Sequence, residues 1–308
     1  MVEKNKYDVI IIGGGPAGLT AGLYTSRARL NSLLIEKGIT GGQINNTNWI
    51  ENYPGFPESI DGFELGNLML KQATKFGLEV TTAEVTGIEV NNEIKTVKTT
   101  EGDYTAKAVI IAGGSKRNTL NVPGEEEYSG KGVSYCATCD APLFSGKPVA
   151  IVGGSDSAVT EALHLAEFAS KVILIHRRDE LRAVGIVRER ILAEPRVEIL
   201  WDTTIDAVEG DVFVEKLKLN NVKTGEKSTL EVSGLFVSIG FQPDTGYLKG
   251  IVALDPVGHI ITNEKMETEV PGVFAAGDIR MNSAKQAITA AGDGATAAVY
   301  AQRYLAEQ

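Results

Sequence analysis

Residues 9–22 read VIIIGGGPAGLTAG: four apolar positions in a row, three glycines, then the start of an amphipathic helix. An unbroken apolar run of this length predicts a strand covered on both faces. The same pattern returns 140 residues later, where 149–162 read VAIVGGSDSAVTEA. Laid in register, Gly13 falls on Gly153, Gly14 on Gly154, Gly18 on Ala158 and Thr20 on Thr160. The register holds to the end of the next apolar run, where Glu36 in LLIEKG stands opposite His176 in LIHRRD. Between the copies, helical spacing over 62–76 places Leu65, Leu68, Met69, Ala73 and Phe76 on one face. Residues 78–112, with LEVTTAEV and EIKTVKTT, predict an antiparallel β insertion. AVIIAGG (108–114) and GLFVSIG (234–240) predict further strands, and an Ala-rich helix is expected from about 285 to 305. Trp49, Trp201 and Tyr53 read as packing.

Composition narrows the classes. The 308 residues are 43% hydrophobic and 23% charged, which argues against disorder and fits one or two domains. Forty acidic against 30 basic residues give a net charge of −10, which disfavours a general nucleic-acid or anionic-membrane binder. No apolar run approaches the roughly 20 residues of a membrane span. The N-terminus, MVEKNKYDVIII, carries neither an apolar core of signal-peptide length nor a small-residue cleavage site. The expected location is cytoplasmic.

The repeated pattern has a chemical reading. The first glycine of such a unit permits a tight turn, the second lets the backbone approach a pyrophosphate, and the third position lets helix and strand pack closely. The helix start then offers free N–H groups and the positive end of its dipole to phosphates. Glu36, an acid after the second strand, suits the ribose hydroxyls of an unphosphorylated adenosine, hence FAD or NAD. In the second copy His176, Arg177 and Arg178, with Arg182 one turn on, suit a 2′-phosphate, so that site should prefer NADPH. Ser155 stands where the second glycine is usual, and its side chain either crowds a pyrophosphate or donates to it.

Cys136 and Cys139, in YCATCDAP, are the only cysteines. Their spacing allows an intramolecular disulfide and depresses the pKa of one thiol. Asp140, next in sequence, can pass a proton to a leaving thiolate. A zinc site needs four ligands and no second cysteine pair exists, so no metal is expected. An inert buried pair is the remaining reading.

GGGPAG, GGQ (41–43), CATCD, HRRDELRA (176–183) and GVFAAGD (272–278), in this order and across essentially the whole chain, resemble the bacterial-type, low-molecular-weight thioredoxin reductases. The resemblance implies an α/β fold of two Rossmann-like three-layer dinucleotide-binding domains, the NADPH domain inserted into a split FAD domain. It implies FAD and NADPH as cofactors, a redox-active disulfide, a homodimer, and thioredoxin or a related small dithiol protein as partner. By matching motifs, Gly13, Gly15, Pro16 and Ala17 would hold the FAD pyrophosphate and Glu36 its ribose. Lys37, Gly41, Gly42, Gln43, Asn52 and Val85 would line FAD, and Asp278 would bond its ribityl or phosphate side. Lys285, Gln286 and Ala287 would lie at the start of the last helix, near the isoalloxazine. NADPH would fall to Gly153, Gly154, Ser155, Asp156, Ser157, His176, Arg177, Arg178, Arg182 and Ile239. Cys139 would be the thiol nearer the flavin, Cys136 the one that attacks the partner, and Asp140 the general acid. Lys285 replaces the family's usual Arg, and GDGATAA (292–298) lacks a Cys often found there.

The expected layout is residues 1–117 for the first part of the FAD domain, 118–245 for the NADPH domain with its disulfide, and 246–308 for the second part. Two short crossings would form a hinge about which the inserted domain rotates. Three other readings remain open: the same thiol relay fed by another electron donor, an NADPH oxidase or ferredoxin–NADP reductase on the same scaffold, or a non-enzymatic flavin redox sensor.

Overall fold

The computed structural model describes residues 5–47, 50–91 and 93–308, so Trp49 lies outside it. An uninterrupted apolar strand is stable only where both faces are covered, and β1 (Lys6–Ile12) has that position. After it come α1 (Pro16–Arg27) and β2 (Ser32–Glu36), which lies parallel to β1 with Ile12 opposite Ile35. Helix α2 (Gly62–Thr74) is capped by Asp61, whose carboxylate accepts from the Glu64 N–H at 3.0 Å. It leads to β3 (Glu79–Thr82), then β4 (Val85–Asn91), β5 (Ile94–Thr99) and β6 (Gly102–Ile111).

The expected antiparallel insertion over 78–112 is corrected at both ends. β3 extends the parallel sheet by pairing with β2, because α2 supplies the crossover a parallel strand needs. β4 and β5 are antiparallel, but β6 returns parallel to β1 with Ile11 opposite Ile110. On α2, Leu65 and Ala73 are buried as expected, whereas Leu68, at the edge of the stripe, is 42% exposed. Along β1, Val9 and Ile11 join one apolar cluster and Ile10 and Ile12 another, the two faces of one sheet. Each such fully buried side chain contributes about 1.5–3 kcal/mol.

The chain then forms β7 (Ser115–Arg117), β8 (Val133–Ser134), α3 (Ala137–Asp140), β9 (Pro148–Gly153), α4 (Asp156–Phe168), β10 (Lys171–Ile175), α5 (Gly185–Ala193) and β11 (Val197–Leu200). An antiparallel meander of β12 (Thr203–Gly210), β13 (Val214–Asn221) and β14 (Lys227–Glu231) precedes β15 (Gly234–Ser238). β9 is the central apolar strand of a parallel sheet ordered β11-β10-β9-β15-β8. Its Ile151 faces a cluster built with α4, and its Ala150 and Val152 face one built with the meander. β16 (Phe241–Pro243) pairs with β7. β17 (Val273–Ala275) then joins β6, and α6 (Ala287–Ala306) closes the chain. Ala297, Ala298 and Ala301 give α6 a buried face of small side chains.

The chain divides into two compact units. One comprises residues up to Lys116 together with Gln242–Gln308, and the other Arg117–Phe241. The first is an α/β body around a mixed, mostly parallel sheet, the second an α/β body around a parallel one.

Candidate active site

In the first unit the GGGPAG turn sits at the carboxyl end of β1. Gly13 has φ +104°, and a Cβ there would collide with the Ala112 carbonyl at the end of β6. A Cβ on Gly18 would strike the Gly13 carbonyl, so α1 packs directly on the turn. α1 starts at Pro16 with no side chain capping its N–H groups and no acid in its first turn. Such an end is open to an anion.

Glu36 meets the turn through its carboxylate: Oε2 accepts from the Gly14 N–H at 2.6 Å and Oε1 from the Gly38 N–H at 2.9 Å. Gly41 donates to the Gly14 carbonyl at 2.7 Å, which brings Gly42 and Gln43 alongside. Gln43 Nε2 donates to the Ser115 carbonyl at 3.1 Å. Lys37 is held by Asp244 at 3.3 Å, and Val85, at the head of β4, packs on the apolar cluster that contains Ile12 and Ile279. The 3-10 turn Gly277–Ile279 lies against the start of α1, because a Cβ on Gly277 would be 3.0 Å from Ala17 Cβ. Burial raises the Asp278 carboxyl, against the Ser283 hydroxyl at 3.2 Å and the Lys285 charge. Asn52 Nδ2 donates to Gln286 Oε1 at 3.0 Å, immediately before Ala287 begins α6. Lys285 itself has φ +55°.

Two residues that sequence reasoning passed over fix this region. Asp293 on α6 accepts from the Gly277 N–H at 3.1 Å and from Arg280 at 2.6 and 2.8 Å. The pair clamps the Asp278 turn to α6.

In the second unit the turn is built the same way, with Ala158 packed beneath Gly153. The His176 ring fills the space beside Gly154, and its Nε2 lies 3.0 Å from the Glu180 carbonyl. Trp201 packs edge-on against it. The basic segment folds back over the turn: the Arg182 and Ala183 N–H groups donate to the Gly154 carbonyl, and the Val184 N–H donates to Asp156 Oδ1 at 2.8 Å. Ser155 precedes α4 without using its side chain as a cap, and Ser157 is exposed in the first turn. Arg177, Arg178 and Arg182 are exposed, and among the described residues no carboxylate pairs with them. Ile239 follows directly on β15 and is half-buried.

Cys136 and Cys139 form a disulfide with Cα atoms 5.4 Å apart. Cys136 caps α3, its Sγ accepting from the Cys139 N–H at 3.2 Å, while Asp140 ends the helix. Cys139 is exposed and Cys136 half-buried. Ser134 spends its hydroxyl on Cys136, accepting from its N–H at 3.0 Å and donating to its carbonyl. Tyr135, between them, donates to Glu125 Oε1 at 2.8 Å. Glu125 is 4% exposed and also accepts from the Leu120 and Asn121 N–H groups at 2.8 and 2.6 Å. Burial, then Glu125, pushes the Tyr135 phenol up and keeps it a donor. Glu125→Gln replaces one acceptor oxygen by a donor facing donors. It should cost about 1–3 kcal/mol, read by hydrogen exchange across residues 120–136. No change in exchange there would show that the brace is idle.

Among the described residues no group of three or more His, Cys, Asp or Glu side chains is placed to hold a metal, and no helix is long and apolar enough to cross a membrane. The family pattern "Pyridine nucleotide-disulphide oxidoreductase" matches residues 7–294. The thioredoxin reductase of Bacillus subtilis (strain 168) is 47% identical over 308 residues, spanning 100% of this chain and 97% of that protein. Among solved structures, Lactococcus lactis thioredoxin reductase (FR conformation) has a TM-score of 0.96 at 42% identity, covering 98% of this chain and 100% of that chain. T. acidophilum thioredoxin reductase has a TM-score of 0.93 at 33% identity, covering 99% of each. The chain belongs to the pyridine nucleotide-disulphide oxidoreductase family, among its thioredoxin reductases.

Proposed function

We propose that the protein is a thioredoxin-disulfide reductase that draws electrons from NADPH, holds FAD in its first unit, and works as a homodimer in the cytoplasm. Its partner is thioredoxin or a related small dithiol protein. The observation that carries the reading is an accessible C-x-x-C disulfide in the same unit as a glycine turn whose Gly154 carbonyl is met by an arginine-rich segment, with Arg177, Arg178 and Arg182 exposed.

The first turn suits FAD. Its bare backbone, uncapped helix start and Glu36 carboxylate match a pyrophosphate and a ribose, with Gly41, Gly42 and Asp278 alongside. Asn52, Gln286 and Ala287 would take the ring end. FAD bound there supplies the two-electron relay between the nicotinamide of NADPH and the Cys136–Cys139 disulfide.

On the reduced pair, the Cys139 N–H that points at Cys136 Sγ becomes a charge-assisted bond to its thiolate, which favours the nucleophilic form. The Cys136 thiolate attacks one sulfur of the partner's disulfide. A new S–S bond forms, the partner's own bond breaks, and its second sulfur leaves as a thiolate protonated from Asp140. Cys139 then attacks Cys136 Sγ, which closes the internal disulfide and releases the reduced partner. Each cycle consumes one NADPH and one proton and delivers two thiols.

Arg177, Arg178 and Arg182 select the 2′-phosphate, while Ser155 faces the pyrophosphate from the turn. The variant with both Arg177 and Arg178 changed to Ala should raise the KM for NADPH about 100-fold or more and leave that for NADH within about twofold, since each charge-assisted contact contributes about 1.5–3 kcal/mol. Equal loss with both coenzymes would place the arginines outside the phosphate site. The function as a whole is tested by following NADPH oxidation with and without oxidised thioredoxin. One thioredoxin dithiol per NADPH is expected, and oxidation that ignores thioredoxin points to an oxidase.

A further inference from the structure

Where the chain re-enters the first unit, the 3-10 turn Gly246–Leu248 carries Tyr247. Its ring packs on the apolar cluster that contains Ile12, Ile35 and Ile279. Its hydroxyl is buried with no hydrogen-bond partner among the described residues. Burial, with the nearby Asp244 charge, raises the phenol, so the group remains a donor. Asp244 itself is engaged by Lys37 and Lys116 at 3.3 and 3.4 Å.

A buried hydroxyl without a partner costs about 1–3 kcal/mol, and phenylalanine would avoid the cost while filling the same apolar space. The position of the oxygen explains its presence. A Cβ on Gly113 would lie 3.7 Å from Tyr247 Oη and 3.4 Å from Ile279 Cδ1. Gly113 Cα in turn lies 2.9 Å from where a Gly13 Cβ would stand. The hydroxyl thus borders the junction of three backbone segments: the Gly13 turn, the end of β6, and the 3-10 turn that carries Asp278.

We propose that Tyr247 is a binding residue for the adenosine diphosphate half of FAD, its Oη donating a hydrogen bond to an oxygen or nitrogen acceptor there. The inference rests on the reading of the first unit as the FAD site. A partner that arrives only with the ligand leaves a signature no structural hydroxyl gives: the group weakens the empty protein and strengthens the loaded one.

The test is Tyr247→Phe in the full-length chain, freed of flavin and titrated with FAD by fluorescence quenching. FAD affinity should fall about 5- to 30-fold, and ADP should lose potency by a similar factor as a competitor of FAD. The urea midpoint of the flavin-free variant should match or exceed that of the parent chain. Three results overturn the proposal: unchanged FAD affinity, a loss with FAD but not with ADP, or a flavin-free variant that unfolds at lower urea, which would give the hydroxyl a partner within the folded chain. A parent chain that takes up no FAD overturns the FAD site itself, a separate outcome from a variant that binds as tightly as its parent.

Discussion

Cys136→Ser should lower thioredoxin reduction by at least about 10³-fold while NADPH still bleaches the flavin at close to the parent rate. The chemical reason is that an alkoxide is not available near neutral pH, whereas a thiolate is, and the exchange step needs the anion. The structural reason is that serine is a favoured helix cap, so the Cys139 N–H keeps an acceptor and the α3 segment keeps its shape. The loss is therefore assigned to the missing nucleophile rather than to unfolding. Stopped-flow absorbance separates the half-reactions: one trace follows flavin bleaching by NADPH, the other thioredoxin-dependent reoxidation. The companion variant Cys139→Ser should accumulate a mixed disulfide with the partner on Cys136, visible as a mass increase on a non-reducing gel, because the resolving thiol is gone. A Cys136→Ser enzyme that retained a tenth of the thioredoxin activity would move the exchange chemistry to another group.

The parts of this molecule that were legible in the sequence are those whose physics is local. A strand covered on both faces, a turn that needs positive φ, and a helix that starts on a bare backbone all lie within about 14 residues. Repeating them at a fixed offset of 140 marked both turns. Glu36 was legible because its place after the second strand follows from the same unit, and the structure puts its carboxylate on the Gly14 N–H. Pairing partners were less legible. Alternation in LEVTT predicts a strand but not its neighbour, and β3 joins β2 only because α2 carries the chain over. Buried polar contacts were not legible at all. Tyr135 meets Glu125 ten residues upstream, Arg280 meets Asp293 thirteen downstream, and Tyr247 looks like one more loop aromatic in FQPDTGYLKG. Nothing in residue type or spacing separates such pairs from solvated charges. Their roles follow from burial, which is a property of the packed chain.

Arg280→Met should destabilise the first unit by about 3–5 kcal/mol, the cost of leaving one partner of a buried ion pair behind. The Arg280 and Asp293 side chains are only 17% and 10% exposed, so solvent screens the pair poorly. Among the described residues, removing the guanidinium takes two of three donors from Asp293 and leaves its carboxylate with the Gly277 N–H. Asp293→Asn on the Arg280→Met background removes the stranded charge and should recover at least about 1 kcal/mol, since the penalty belongs to the uncompensated ion more than to the lost contact. A chain of two units need not unfold in one step, so hydrogen exchange over residues 273–293 is the measurement. Because the clamp sets the turn that carries Asp278, FAD release should quicken in the single variant and slow again in the double. A single variant whose exchange rises less than about fivefold would show that the pair is screened or dispensable, and Asp278 would then owe its position to the Ser283 hydroxyl and the packing of Gly277 on Ala17.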